Sequence, residues 1–327
     1  MNTELLDVVG IGNAIVDVIA SADEAFLERH GMPKGSMILI DEAQAEALYE
    51  AMGAAVISSG GSAGNTIAGI ASLGGKTGYI GKVRDDDLGH AFRHDITAAG
   101  AIFRTPPAVD GPGTARCLIL VTPDSERTMN TFLGACASLG PDDIDAELIR
   151  SARVTYLEGY LYDEPLAQEA FHRAAQIAHE AGRKVALSLS DAFCVVRHRA
   201  EFLQLVENHV DVLFANDAEI EALFETPDRN EAVARLREYT DLAAITLGSR
   251  GSLVVSSDAV FDVAVEPVER VVDTTGAGDL YAAGFLFGLT RGASLEQCGR
   301  LGSIAAAEII THFGARPQTP LRTLVAN

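Results

Sequence analysis

The chain is poor in positive charge and in cysteine, and each shortage narrows what it can do. Lysine and arginine total 25 against 46 aspartates and glutamates, a formal net charge of −21 over 327 residues. A surface this acidic repels phosphate backbones and anionic lipid, so nucleic acid and membrane are not expected partners. An anionic ligand can bind only where local donors or a metal overcome that field. The opening stretch, MNTELLDVVGIGNAIVDVIA, lacks a basic segment, and Asp7, Asn13 and Asp17 interrupt its apolar run. That reads as neither a signal peptide nor a membrane span. The four cysteines, Cys117, Cys136, Cys194 and Cys298, stand far apart, with no CxxC pair and no histidine at metal-ligand spacing. This is the pattern of buried, reduced thiols in a cytoplasmic protein. Repeats, proline-rich linkers and low-complexity stretches are also missing.

What is present is a globular composition, 48% hydrophobic, long enough for one large domain or two modest ones. DVVGIGN reads as a buried strand. From Val154 onward strands (VTYLEGY, KVALSLS, DVLFAN, AAITLG) alternate with helices (EPLAQEAFHRAAQIAHEAG, then helices near 201–207, 217–224 and 231–239). Alternation of this kind predicts βαβ units, an α/β fold and a mostly parallel sheet with helices on both faces. Two regions break the rhythm. Residues near 16–40 and 113–132 hold short alternating segments such as ARCLILVTP and ERTMNTFLG, which predict antiparallel strands around turns, for example at TPDSER. The expected division is an α/β nucleotide-binding core of residues 1–13, 54–101 and 133–327, with a discontinuous β-rich lid of residues 14–53 and 102–132. A lid sheet of this sort can stay solvated or pair with a second copy, so monomer and homodimer both remain open.

Two phosphate-binding motifs are approached and missed. GIGNAI begins as GxGxxG but has Ile15 where the third glycine belongs, which speaks against a dinucleotide site and a nicotinamide oxidoreductase. GIASLGGKT fails the GxxxxGK[ST] spacing, because Gly69 lies one residue too far from Gly75; Lys76 then reads as a surface residue after a turn.

The stretch VVDTTGAGDLYAAGFLFGL carries more. RVVD reads as the end of a strand and LYAAGFLFGLT as an apolar helix, so TTGAG falls at a helix N-terminus. Backbone N–H groups there lack intrahelical partners, and the helix dipole adds partial positive charge. Gly276 and Gly278 let the chain turn sharply and come close to a ligand, making an anion-binding nest. Asp279 follows at once. A carboxylate beside such a nest can take the proton of a hydroxyl that attacks a phosphoryl group, while the nest holds the developing charge. Standing alone, Asp279 reads better as a helix cap.

DTTGAGD followed by a small apolar helix resembles the C-terminal signature of the ribokinase-like carbohydrate and nucleoside kinases. GGSAGNTIAGIASLGGKTGYIGKVRDDDLG, residues 60–89, resembles the N-terminal one. The likeness runs along essentially the whole chain. GIGNAIVDV, DEAFLERHGMPKGSMILID, VDVLFANDAEIEALF and LSLSDAF are most similar to the adenosine kinase branch. The resemblance implies transfer of the γ-phosphate of ATP to a primary hydroxyl. Asp279 would be the base and Gly276, Ala277 and Gly278 the anion hole. Asp17, Gly61 and Asn65 would hold the ribose hydroxyls, with Asn13 and Gly60 nearby; a diol suits a carboxylate acceptor and an amide that both donates and accepts. Asn216 and Glu219, in NDAE, would organise Mg²⁺ through water, in keeping with a cation that prefers oxygen and retains waters. Thr246, Gly248 and Gly251, in TLGSRG, and Thr275 would contact the nucleotide, with AAAEIITHFGA flanking its adenine. Asp273 and Gly314 match regions where some members hold a monovalent cation such as K⁺. Arg127 would meet the phosphates on lid closure, a charge distribution that suits a guanidinium.

The acceptor is less defined. The resemblance implies an apolar sandwich for a base from Ile15, Met37, Met129, Leu161 and Phe193. Met37 stands where some relatives carry a polar residue, Leu161 replaces an aromatic, and Thr275 stands where eukaryotic members often have Asn. Adenosine is the first expectation; inosine, guanosine, another ribonucleoside or a ketose or ribose stay open. A ligand-binding protein that has lost catalysis is the rival of another class, and the intact acid beside GAG argues against it.

Overall fold

The computed structural model describes residues 5–124 and 126–325. In chain order its elements are β1 (Leu6–Ile11), β2 (Ile15–Ser21), α1 (Glu24–Arg29), β3 (Met37–Leu39), α2 (Glu42–Ala51), β4 (Ala55–Ser59), α3 (Ser62–Ser72), β5 (Thr77–Ile80), α4 (Asp87–Ala98), β6 (Ala101–Phe103), β7 (Ala115–Val121) and β8 (Arg127–Phe132). There follow α5 (Ala146–Arg150), β9 (Ala152–Glu158), α6 (Pro165–Glu180), β10 (Lys184–Ser188), α7 (Ala192–Arg197), α8 (Arg199–His209), β11 (Val212–Asn216), α9 (Asp217–Phe224), α10 (Arg229–Leu236), β12 (Leu242–Thr246), β13 (Ser252–Ser256), β14 (Val260–Val263), α11 (Ala277–Thr290) and α12 (Leu295–Ile309).

The strands form a 9-stranded sheet in the order β14-β13-β12-β11-β10-β9-β1-β5-β6 and a 5-stranded sheet in the order β3-β8-β7-β2-β4. From β12 to β6 the large sheet is parallel; β13 and β14 close one edge as antiparallel strands. Its strands read as near-continuous apolar runs because both faces are covered. One face packs the cluster that includes Ile11, Leu157, Phe171, Leu187 and Leu213, the other the cluster that includes Val8, Ile67, Tyr156, Phe214 and Phe285. This is the α/β core with a β lid that the alternation predicts. No helix among the described residues is long and apolar enough to cross a membrane, and all four cysteines are buried and unbridged.

The small sheet departs from the expectation in its directions. β7–β8 and β2–β4 are antiparallel, but β2–β7 and β3–β8 run parallel. Each parallel pair joins strands far apart in the chain, so no local turn dictates their direction. Sheet membership also differs from the division at 53/54 and 101/102. β4 pairs with β2 in the small sheet, and β6 pairs with β5 in the large one. RVVD, expected to end a strand, is not one: Val272 N–H instead donates to Ile310 O at the end of α12 (2.8 Å). In TPDSER, Ser125 lies outside the described residues.

The two near-miss glycine motifs are packing devices. A Cβ on Gly12 would meet Glu158 Oε2 at 2.3 Å, and one on Gly69 would meet Ala283 Cβ and Leu280 Cδ1 at 2.7 Å. They let β1 approach β9 and let α3 approach α11. Lys76 is exposed, as expected after a turn.

Candidate active site

Helix α11 begins where the sequence places it. Gly276 is its N-cap, with φ +79°, and a side chain there would press on Ala315, whose Cβ would lie 2.9 Å away. Only glycine takes this conformation without strain. The N–H of Ala277 turns back to Thr274 O (3.1 Å) and that of Leu280 to Gly276 O (2.9 Å). The N–H groups of Gly278 and Asp279 find no acceptor among the described residues. The Gly276 N–H likewise has no acceptor there, so of the expected trio only Ala277 is committed to its own turn, and Asp279 adds a donor from its own backbone.

The Asp279 side chain sits in the first turn of α11 and faces the start of α3. Ser62 Oγ donates to its Oδ1 (2.6 Å) and Asn65 Nδ2 to its Oδ2 (2.9 Å), while Thr66 Oγ1 donates to its backbone carbonyl (3.1 Å). Burial pushes the carboxyl pKa up from its ordinary value; the two hydrogen bonds and the Arg316 charge pull the other way. It is held by neutral donors, and no ion pair among the described residues takes it from the cleft. Asn65 is 4% exposed, and its Oδ1 has no partner. Leaving such an atom unpaired costs about 1–3 kcal/mol, so a ligand hydroxyl that donated there would recover a real deficit.

Asp17 lies on the cleft face of the small sheet. Strand periodicity puts odd-numbered residues of β2, β7 and β8 on that face: Ile15, Asp17, Cys117, Ile119, Arg127 and Met129. The registers agree, with Asp17 opposite Cys117 and Ile119 opposite Met129. Gly60 abuts the Asp17 carboxylate, since a Cβ there would sit 2.5 Å from Oδ2. Gly61, at φ +81°, abuts Asn13 O, which a Cβ would meet at 2.2 Å. The glycine pair therefore lets the chain pass between Asp17 and the β1–β2 connection. Burial raises the Asp17 pKa to about 7, opposed by Arg316 and Arg127 and reinforced by Asp279. Asn13 is buried; its Nδ2 donates to Glu158 Oε1 (2.8 Å).

Arg127 reaches across from the lid to the core. Its Nη1 donates to Thr275 Oγ1 (3.3 Å), and its Nη2 pairs with Asp273 Oδ2 (2.5 Å). Asp273 also accepts from Thr275 N (3.0 Å), Thr275 Oγ1 (2.7 Å) and Gly314 N (3.1 Å). In this arrangement Asp273 thus gathers Arg127, Thr275 and Gly314 at one carboxylate.

The apolar wall is smaller than expected. Ile15 is buried on the cleft face, and Met37 and Met129 are neighbours in β3 and β8. Leu161 is 1% exposed and belongs to the core cluster under the large sheet, because the 3-10 turn after β9 points it inward. Phe193 is 76% exposed at the start of α7. Neither takes part in a sandwich in this arrangement. Tyr160, one residue earlier, stands near the acids as Tyr156 does, and its pKa is raised by burial and by Asp191, Asp279, Glu219 and Glu158.

On the opposite side, Asn216 caps α9. Asn216 Oδ1 accepts from Glu219 N (2.9 Å), Glu219 Oε2 accepts from Asn216 N (3.0 Å), and Asn216 Nδ2 donates to Glu219 Oε1 (2.7 Å). Glu219 is buried, and burial with the neighbouring Asp191 and Asp217 charges raises its pKa to about 7. No group of three or more His, Cys, Asp or Glu among the described residues could hold a metal ion directly. An acidic, oxygen-only set without a chelating cage fits a cation that keeps its waters. Thr246 ends β12; Gly248 (φ +59°) and Gly251 (φ +90°) shape the turn into β13.

Sequence reasoning missed Ser62, Glu158, Tyr160 and Arg316. Glu158 is a buried carboxylate that accepts from Asn13 N (3.3 Å), Asn13 Nδ2 (2.8 Å) and Ala63 N (2.8 Å), and burial raises its pKa to about 7. Its signal was an acid closing the strand that starts the regular alternation. Arg316 donates through Nε to Ser59 O (3.1 Å) and through Nη2 to Gly60 O (3.2 Å).

The profile described as pfkB family carbohydrate kinase matches residues 36–322. The crystal structure of adenosine kinase from Sinorhizobium meliloti is similar at a TM-score of 0.92 and 53% identity, covering 98% of both chains. That of a probable sugar kinase protein from Rhizobium etli CFN 42 is similar at a TM-score of 0.93 and 47% identity, covering 99% of this chain and 98% of the other. The adenosine kinase of Saccharomyces cerevisiae is 28% identical over 331 aligned positions, 94% of this chain and 95% of its own. An acid at a glycine-capped helix start, a polar cradle facing it and a lid arginine reaching the same loop agree with these likenesses, and the chain belongs to the pfkB family of carbohydrate kinases, as an ATP-dependent phosphotransferase.

Proposed function

We propose that the protein transfers the γ-phosphate of ATP to the primary hydroxyl of a nucleoside, adenosine before others. The observation that carries this is the placement of Asp279 between the open amides of α11 and the polar start of α3. An acceptor hydroxyl lying between them loses its proton to Asp279 as its oxygen bonds to the γ-phosphorus. The bond from that phosphorus to the bridging oxygen breaks, and ADP leaves. The N–H groups of Gly278 and Asp279 steady the charge on the moving phosphoryl group. Asn65 Oδ1 and Asp17 accept from the sugar hydroxyls. Arg127 exchanges Asp273 for the phosphates when nucleotide is present. Mg²⁺, bound with the nucleotide, would be held through water at Asn216 and Glu219 and would neutralise phosphate charge there.

A sugar acceptor is the second reading. Leu161 in the core and Phe193 in solvent leave a thin apolar wall of Ile15, Met37 and Met129 for a base. A coupled assay of ADP release, run over a panel of nucleosides, ketoses and ribose with Mg²⁺ and ATP, separates the two. Highest kcat/KM with adenosine supports the first reading; turnover with sugars alone replaces it with the second.

A further inference from the structure

Arg316 stands in the loop after α12 and belongs to neither signature. Its side chain lies among the start of α3, the end of β4 and the cleft face of β2. Besides its bonds to Ser59 O and Gly60 O, its Nη2 would lie 3.1 Å from a Cβ on Gly64. The preceding residue, Ala315, is the one that abuts Gly276. One dipeptide therefore touches the phosphate-side turn with its first residue and the acceptor-side turn with its second. We propose that Arg316 is a positioning residue that ties the Gly60–Gly61 turn to the Gly276 loop and supplies the main counter-charge for Asp17.

The surroundings of both groups bear this out. Asp17 is faced by Arg316 from the C-terminal loop, Arg127 from β8, Asp279 from α11 and Cys117 from β7. Arg127 is already paired with Asp273. Arg316 is faced by Tyr79 from β5, Asp17 from β2, Asp95 from α4 and Asp279 from α11. Asp95 is engaged by Ser59 Oγ (2.7 Å) and His94 (3.2 Å), and Asp279 by Ser62 and Asn65. Asp17 has no hydrogen-bond partner among the described residues, so the guanidinium that holds the neighbouring Gly60 carbonyl carries most of the compensation. The bonds from Arg316 go to carbonyls and leave its charge available to the acid. The acceptor and phosphate labels rest on the function proposed above; the tie between the two turns does not.

The test needs no ligand, so it reads separately from catalysis. The melting temperature of the free protein would be followed from pH 5 to pH 9 for wild type, Arg316→Gln, Asp17→Asn and the double variant. Without Arg316, Asp17 stays protonated to higher pH and the folded state keeps losing stability after the wild type has levelled. The expected result is a wild-type advantage over Arg316→Gln that widens with pH and shrinks in the Asp17→Asn background. Arg316→Lys, which keeps the charge but not the two-pronged grip, should show a nearly constant offset. A constant offset for Arg316→Gln, or a slope unchanged by Asp17→Asn, overturns the proposal. Were Arg316→Gln unable to fold, recovery of folding in the double variant would support it and no recovery would overturn it. Failure of the wild type to phosphorylate any nucleoside or sugar removes the functional reading and leaves this melting test valid.

Discussion

On the side of the cleft built by β2, the Gly60–Gly61 turn and α3, polar groups are bound mainly to partners distant in sequence. Asp279 reaches Ser62 and Asn65, Glu158 reaches Asn13 and Ala63, and Arg316 reaches Ser59 and Gly60. On the side built by the ends of β11 and β12, the motifs close on themselves: Asn216 and Glu219 satisfy each other, and Leu247 N–H bonds Gly251 O (2.8 Å). The first side is a preformed cradle and the second a pair of self-capped turns set side by side by the β11–β12 pairing and by Arg250 with Asp217. Substitutions in the cradle should therefore disturb chemistry and acceptor binding at once. Those in the turns should act on catalysis only through the nucleotide.

The sharpest expected effect is at Asp279. Asp279→Asn removes the base and leaves the amides in place, so kcat should fall by about 10²–10⁴ with little change in binding of an ATP analogue, measured by calorimetry. Next is Arg127→Ala, which removes the lid's charge from the phosphate loop. A charge-assisted hydrogen bond is worth about 1.5–3 kcal/mol, so steady-state kinetics should show kcat/KM for ATP lowered by roughly ten- to a hundredfold. Asn65→Ala should raise the acceptor KM by about tenfold and leave the ATP KM alone; equal effects on both would erase the distinction between the two sides. Glu219→Gln should raise the Mg²⁺ concentration needed for half-maximal rate by about tenfold, with no change in acceptor affinity.

The smallest effect is on stability. Asp17, Glu158 and Glu219 each have folded pKa values raised to about 7. Between their unfolded values, about 4, and pH 7 the folded chain keeps protons that the unfolded chain has released. Stability from these groups is fully present below pH 4 and is lost as pH rises through 7. Scanning calorimetry of the ligand-free protein should show it, set against any opposite trend from the exposed acids. Asp17→Asn, Glu158→Gln and Glu219→Gln should each flatten the curve, Asp17→Asn the most because an aspartate's ordinary value lies lowest.

Where the chain repeats a local pattern, the fold could be read. The alternating strands and helices after Val154 and the position of α11 follow from period and from glycine placement. The lid's cleft-facing residues follow from period two once its strands are known. Parallel pairing of β2 with β7 could not be read, because nothing local sets the direction of two strands a hundred residues apart. The same limit hid Arg316 and Glu158. An arginine in GARPQ and a glutamate in YLEGY do not name their partners: the role of Arg316 arises when the C-terminal loop meets β4 and α3, that of Glu158 when β9 meets the β1–β2 connection and α3. Leu161 shows the reverse: its type suited a pocket, but the turn after β9 sends Tyr160 toward the acids and Leu161 into the core.

The central claim is that one carboxylate, set at the mouth of a helix, takes the acceptor's proton. It is tested most directly by ADP release with adenosine, Mg²⁺ and ATP for wild type and Asp279→Asn side by side. The account predicts brisk adenosine-dependent release by the wild type and a loss of about two to four orders of magnitude in the variant. Near-equal rates, or release that does not depend on any acceptor, would contradict it.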